Sequence, residues 1–325
     1  MDELIVQILR GFGLKPHSIS RHKLSHICLT DKGMKTLRQA GKNHRETIFF
    51  QHEVKENLFA KGFKDIDRFN VSAKNEPFFA IDGKVYTMSD YLPCKESSFS
   101  NHDDFERIIK KIAEMHSIKL IPKEKFNLSA NLFEEQFVKD MSCLNEFKKR
   151  ISKNNKFSDF DVIFCKNYNY YIECLDQWFN LIKEINYADM LETVINKGSI
   201  CHNMLKESTV LTDGATFYIT NFSECSYGHY ISDLASLIKR HFKSRPGNNI
   251  SIKKILEIYN SVSPLNEKDI KLLYSLLIYP DKFIKTALQY YAKKRSWTPG
   301  SFKNRIESVI VLKDVYRKYI DESIK

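Results

Sequence analysis

The sequence predicts an α+β protein of two lobes, a strand-rich front over residues 1–92 and a larger, mainly helical remainder over residues 93–325. Three observations predict it. A chain of 325 residues exceeds what one small core encloses. Short apolar runs separated by turn signals fill the front, whereas apolar residues at helical spacing fill the back. The composition, 42% hydrophobic and 13% aromatic, supplies a real core and is too apolar for a disordered chain.

The elements follow in order. Gly11-Phe12-Gly13-Leu14-Lys15-Pro16 begins like a phosphate-cradling Gly-x-Gly-x-x-Gly, but Pro16 stands at the third glycine and the stretch precedes the strands, so it reads as a linker. Apolar runs at residues 27–30 and 34–38 flank Asp31-Lys32-Gly33, which predicts a hairpin. Over residues 48–60, Phe49, Phe50, Val54, Leu58 and Phe59 have helical spacing, and Gly62 marks the stop. Asp82-Gly83 between residues 77–81 and 84–88 is the strongest short hairpin signal in the chain. The composition changes between residues 92 and 100. Beyond it, Phe105, Ile108, Ile109, Ile112 and Met115 predict an amphipathic helix over 103–116, and periodic stretches predict helices over 132–151, 168–185 and 269–294. A small hairpin, 209–211 and 217–219 around Thr212-Asp213-Gly214, interrupts them.

Composition narrows the function. Net charge is +11, from 51 Lys and Arg against 40 Asp and Glu, which favours polyanionic or other anionic ligands. The basic residues lie in mixed-sign stretches such as 266–271 and form no block or zinc-finger spacing, so no specific nucleic-acid site is expected. The seven cysteines are odd in number and form no Cys-x-x-Cys pair, which argues for a reducing compartment and against a disulfide scaffold. No run approaches the roughly 18 apolar residues of a membrane span, and the start lacks a signal-peptide pattern. His22 and His26 have the spacing of a zinc helix but lack a third ligand, and Cys201 beside His202 lacks an orienting acid, so neither predicts a metal or a nucleophile.

Several stretches carry a family resemblance: Ile200-Cys201-His202, Tyr218-Ile219-Thr220-Asn221-Phe222-Ser223, Ser232-Asp233-Leu234-Ala235, and the late segment with Tyr279-Pro280-Asp281, Tyr290-Tyr291 and Trp297-Thr298-Pro299. With the element order, they resemble the bilobal protein-kinase-like fold of aminoglycoside phosphotransferases and choline kinases, and more closely the CotS-type spore coat proteins that share it. In active relatives the loop reads His-x-Asp-x-x-x-x-Asn, with a catalytic Asp and a metal-holding Asn, and a later Asp-x-Asp supplies the chief metal carboxylate. The resemblance places these positions on His202, Met204, Thr209, Asn221 and Ser223. Only the histidine is retained. It also places the phosphate-clamping cation on Arg38, its helix partner on Glu53 with Glu56 as a rival, and a structural brace on Asp233.

These replacements bear on the chemistry. Phosphoryl transfer depends on positioning and on metal neutralisation of developing charge. A thioether at Met204 cannot accept a substrate proton, a role worth about 10² to 10⁴ in rate. Magnesium is usually held by one or two carboxylates, and Asn221 offers a neutral amide oxygen. The sequence therefore predicts no catalytic residue, no metal site and no cofactor, and a vestigial nucleotide cleft at Arg38 and Glu53. The resemblance implies a catalytically inactive spore coat protein that acts in coat assembly, made in the cytoplasm of the sporulating cell and then carried in the coat, with other coat proteins and an anionic ligand as partners. The alternative is a small-molecule phosphotransferase acting on an aminoglycoside, choline or homoserine-like substrate with ATP and magnesium. It would need a rearranged metal site, for which Glu207, Asp213 and Glu224 are the nearby carboxylates. A polyanion-binding module would rest on charge alone.

Overall fold

A computed structural model of the chain describes residues 3–22, 25–41, 45–123, 132–244, 250–292 and 297–324, with the side chains of 132 and 314–324 outside the description. The front elements are α1 (Glu3–Gly11), β1 (Pro16–His22), β2 (Ser25–Thr30), β3 (Gly33–Gln39), α2 (Arg45–Ala60), β4 (Phe79–Ile81), β5 (Lys84–Asp90) and β6 (Lys95–Glu96). There follow α3 (His102–Ser117), α4 (Leu132–Ile151), α5 (Asp159–Glu184), α6 (Tyr187–Asn196), β7 (Ile200–Cys201), β8 (Val210–Thr212), β9 (Phe217–Ile219) and β10 (Ser226–Tyr227). The chain closes with α7 (Ile231–Ser244), α8 (Ile252–Asn260), α9 (Glu267–Ile278), α10 (Asp281–Tyr291) and α11 (Pro299–Ile324). They form two compact units, Met1–Ser98 with His202–Ser226, and Phe99–Cys201 with Tyr227–Lys325.

In the first unit, an antiparallel sheet runs in the order β1-β2-β3-β5-β4. The predicted hairpins stand at β2–β3 and β4–β5. At the latter, Asp82 and Gly83 both have positive φ, 50° and 70°, as a two-residue turn matching the strand twist requires. The segment predicted as a linker closes α1 instead. Ile5, Ile8 and Leu9 line one face of that helix and join Phe12, Leu14, Cys28, Leu37, Tyr86 and Met88 in a core. His22 and His26 lie on the adjacent strands β1 and β2, with Arg21 opposite His26, so a helical zinc spacing does not exist.

The first unit reclaims a segment predicted for the second. β8 pairs with both β6 and β9, Ser97 donates its N–H to Val210 at 3.0 Å, and Ile219 donates to Asp65 at 2.9 Å. Main-chain hydrogen bonds thus hold residues 202–226 to the front, and the compact boundary is not a single cut at 92.

The second unit is helical around an aromatic core. Phe164, Phe283 and Tyr171 stack, with ring centroids 5.2 Å and 3.9 Å from Phe283. The α5 helix starts earlier than predicted because Ser158 and Asp161 form a capping box. The stretch predicted as one helix over 269–294 is two, α9 and α10. Pro280 has no N–H to donate and disfavours helical backbone at Tyr279, whose ψ is 123°. The last two residues of that stretch, 293 and 294, lie outside the described residues. Among the described residues, no helix is long and apolar enough to cross a membrane.

Candidate functional site

The α2 helix puts a charge where its pattern calls for a hydrophobe. Its buried residues are Ile48, Gln51, Val54, Lys55 and Leu58, so Lys55 falls on the core stripe, and Phe49, predicted for that face, is exposed. Lys55 is 1% exposed, a burial that an ammonium tolerates only with a partner. Its Nζ meets Asp67 Oδ1 at 2.9 Å and donates to the Asp67 carbonyl at 2.7 Å. It also sits 3.8 Å from the centre of the Phe69 ring and 5.6 Å from that of Phe222. Burial pushes its pKa down, against the opposing pull of Asp67.

Asp67 collects two further donors. Arg38 Nη1 on β3 reaches its Oδ2 at 3.2 Å, and the backbone N–H of Asn221 lies 3.2 Å from both carboxylate oxygens. Asn221 takes a left-handed backbone at φ 61°, which an asparagine tolerates. The parallel bridge of Ile66 to Ile219 brings the two segments side by side. Arg38 meets Asp67, Glu53 is exposed on α2, and the rival Glu56 is held by Arg68, whose Nε donates to it at 2.8 Å.

The replaced positions contact one another. Met204 is half-buried, and its Sδ faces Asn221 Nδ2 at 3.6 Å and Ser223 Oγ at 4.0 Å, weak contacts to a soft acceptor. Thr209 turns its hydroxyl back on the loop, donating to the Met204 carbonyl at 2.7 Å and accepting from the Lys206 N–H at 3.0 Å. His202 is fully buried. Its Nδ1 accepts the Met204 N–H at 3.2 Å and its Nε2 faces the Thr220 carbonyl at 3.0 Å, which shapes the loop from within. These residues do not fit magnesium. The carboxylate beside them, Asp67, is committed to two cations, and Asp213 caps the β8–β9 turn by accepting from Ala215 and Thr216 at 2.8 Å and 2.7 Å. Glu207 and Glu224 are exposed, and among the described residues no three His, Cys, Asp or Glu gather as a metal site would require.

Asp233 lies in the second unit, on the first turn of α7, and is 1% exposed. It takes part in a separate polar cluster, where its Oδ2 meets His116 Nε2 at 3.2 Å, and His116 Nδ1 meets the Tyr259 hydroxyl at 2.8 Å. Beside them, Asp269 accepts from the Tyr230 hydroxyl at 3.0 Å and lies 3.3 Å from His229 Nε2, without hydrogen-bond alignment. Cys201 also belongs to this unit, and burial pushes its thiol well up, the opposite of an activated nucleophile.

The five-stranded sheet with its helix, the paired hairpin of 202–226 and the helical second unit define a protein-kinase-like α+β fold. Solved structures agree. An aminoglycoside phosphotransferase from Alicyclobacillus acidocaldarius matches with a TM-score of 0.84 at 12% identity, over 97% of this chain and 94% of that one. A spectinomycin phosphotransferase solved with ADP and spectinomycin gives 0.60 at 12%, over 96% and 93%, and the choline kinase LicA from Streptococcus pneumoniae gives 0.54 at 14%, over 97% and 98%. Residues 6–323 match the family described as "Spore coat putative kinase YutH", and the chain belongs to that family. No curated protein matches the sequence.

Proposed function

We propose that the chain is a catalytically silent kinase-like protein of the spore coat, acting in coat assembly through binding and using neither nucleotide nor magnesium. One observation carries the reading. The carboxylate of Asp67 occupies the cation expected to clamp phosphate, Arg38, together with the buried Lys55, and also the backbone N–H at the metal position, Asn221. In active protein kinases the strand cation pairs with a helix carboxylate, leaving a second carboxylate free for metal. Here the helix cation Lys55 and the strand cation Arg38 share the Asp67 carboxylate as counter-ion, and the metal position carries a neutral amide. The base position, Met204, has no proton-accepting group and is packed against Asn221 and Ser223. The net positive charge suits anionic surfaces of neighbouring coat proteins, the partners this reading expects after synthesis in the sporulating cell. The small-molecule phosphotransferase alternative draws on the kinase in the family's description and on the shared fold, and a fold does not carry activity with it.

Thermal melts with and without ATP and magnesium test this reading. The melting temperature is expected not to move, and a magnesium-dependent rise would overturn it, since a ligand of the native state stabilises by mass action. The variant M204D/N221D, which returns both acids, is expected to gain no ATP binding while Asp67 remains in place.

A further inference from the structure

The cluster around Asp67 has the form of a ligand site with its ligand built in. Lys55 Nζ addresses Oδ1, Arg38 Nη1 addresses Oδ2, and the Asn221 N–H is equidistant from the two at 3.2 Å. A two-oxygen edge is thus gripped by one cation per oxygen with a backbone donor between them. Carboxylates and phosphoryl groups present the same edge to such donors. The grip comes from three elements, β3, α2 and the segment after β9, so it is assembled by the fold and not by one turn. It is sealed on the side of Lys55, 1% exposed, and open on the side of Arg38, whose side chain is 42% exposed. Two cations share one carboxylate, so without Asp67 the buried ammonium of Lys55 either gives up its proton or takes another anion.

We infer that Lys55, Arg38 and the Asn221 N–H form an oxyanion-binding site whose resident ligand is the chain's own Asp67 side chain, a tethered anion that keeps inorganic phosphate and phosphate monoesters out. The inference rests on the silent-kinase reading for the reason an anion is held there, but its test involves neither nucleotide nor magnesium. A wild type that binds magnesium-ATP would sink the silent-kinase reading, and the experiment below can sink the oxyanion site alone.

The test is chemical rescue in the full chain. Asp67→Ala is melted in inorganic phosphate and in chloride at matched pH and ionic strength, beside wild type. The variant is expected to gain about 5 °C in phosphate near a hundredfold excess over its Kd, beyond any change in wild type. Isothermal titration should give one phosphate per chain, and the gain should vanish when Arg38→Ala is added. A folded D67A with no phosphate-specific gain, or a wild type that gains as much, overturns the site. If D67A is unfolded in chloride, the same titration reads refolding by near-ultraviolet circular dichroism. Recovery in phosphate supports the site, and failure to recover at any phosphate concentration overturns it.

Discussion

Each unit of this protein buries a charged cluster, and the two are balanced by opposite means. In the first unit one carboxylate, Asp67, serves two cations, Lys55 and Arg38, so the balance is ion against ion. In the second, two carboxylates lie among imidazoles and phenols: Asp233 meets His116, itself bonded to Tyr259, and Asp269 accepts from Tyr230 beside His229. That balance is made with groups that can be neutral. The first cluster includes Arg38 and Asn221, on which the resemblance places the phosphate clamp and a replaced metal position, and the second includes Asp233, on which it places a brace. Buried cations call for an anion or lose their charge, whereas a buried carboxylate can be held by hydrogen bonds from neutral groups.

The comparison breaks most visibly at Asp67. Asp67→Asn keeps the shape and strands a buried ammonium, at an expected cost of about 3–5 kcal/mol in urea denaturation. Adding Lys55→Met should return a large part of it, because the two residues are coupled. A double variant no more stable than D67N would show that the cluster is not ionic in origin.

Acid should separate the clusters next. Burial holds the His229 pKa below its ordinary 6.5, with His116 and Lys119 adding to the effect and Asp269 opposing it. The unfolded chain therefore takes up a proton that the native state refuses, so stability is complete above pH 6.5 and falls as pH drops below it. His52 in the first unit is also lowered, chiefly by burial, and adds to the slope. Burial raises the Asp269 carboxyl, but His229, the Asn266 N–H and the Tyr230 hydroxyl together hold it low, so a further loss comes as pH falls through the carboxylate range. His229→Gln should flatten the first part of that profile, and an unchanged slope would remove His229 from the account.

Smaller effects sharpen the contrast. Tyr259→Phe leaves His116 Nδ1 without its partner and should cost about 1–3 kcal/mol. Met204→Leu removes only weak sulfur contacts and should cost less than about 1.5 kcal/mol. A larger loss at Met204 than at Tyr259 would mean that the replaced loop is held by more than packing.

What the sequence determined by itself was local. The Asp82-Gly83 turn, the 103–116 helix and the absence of acids at Met204 and Asn221 are properties of neighbouring residues, and periodicity or identity reveals them directly. The capping box at Ser158 and Asp161 and the break at Pro280 were written there too, masked by apolar periodicity that runs past both. Lys55 carried a faint signal, because Ile48, Gln51, Lys55 and Leu58 share one helical face. Its partner Asp67 carried none: it stands in an irregular segment, and its donors come from residues 38, 55 and 221. Only the tertiary structure decided that meeting, and likewise placed residues 202–226 with the front unit through β6 and Asp65. Turns and helix faces are set by bonds within a few residues, whereas a buried ammonium finds its carboxylate only when distant segments are folded together and water is gone.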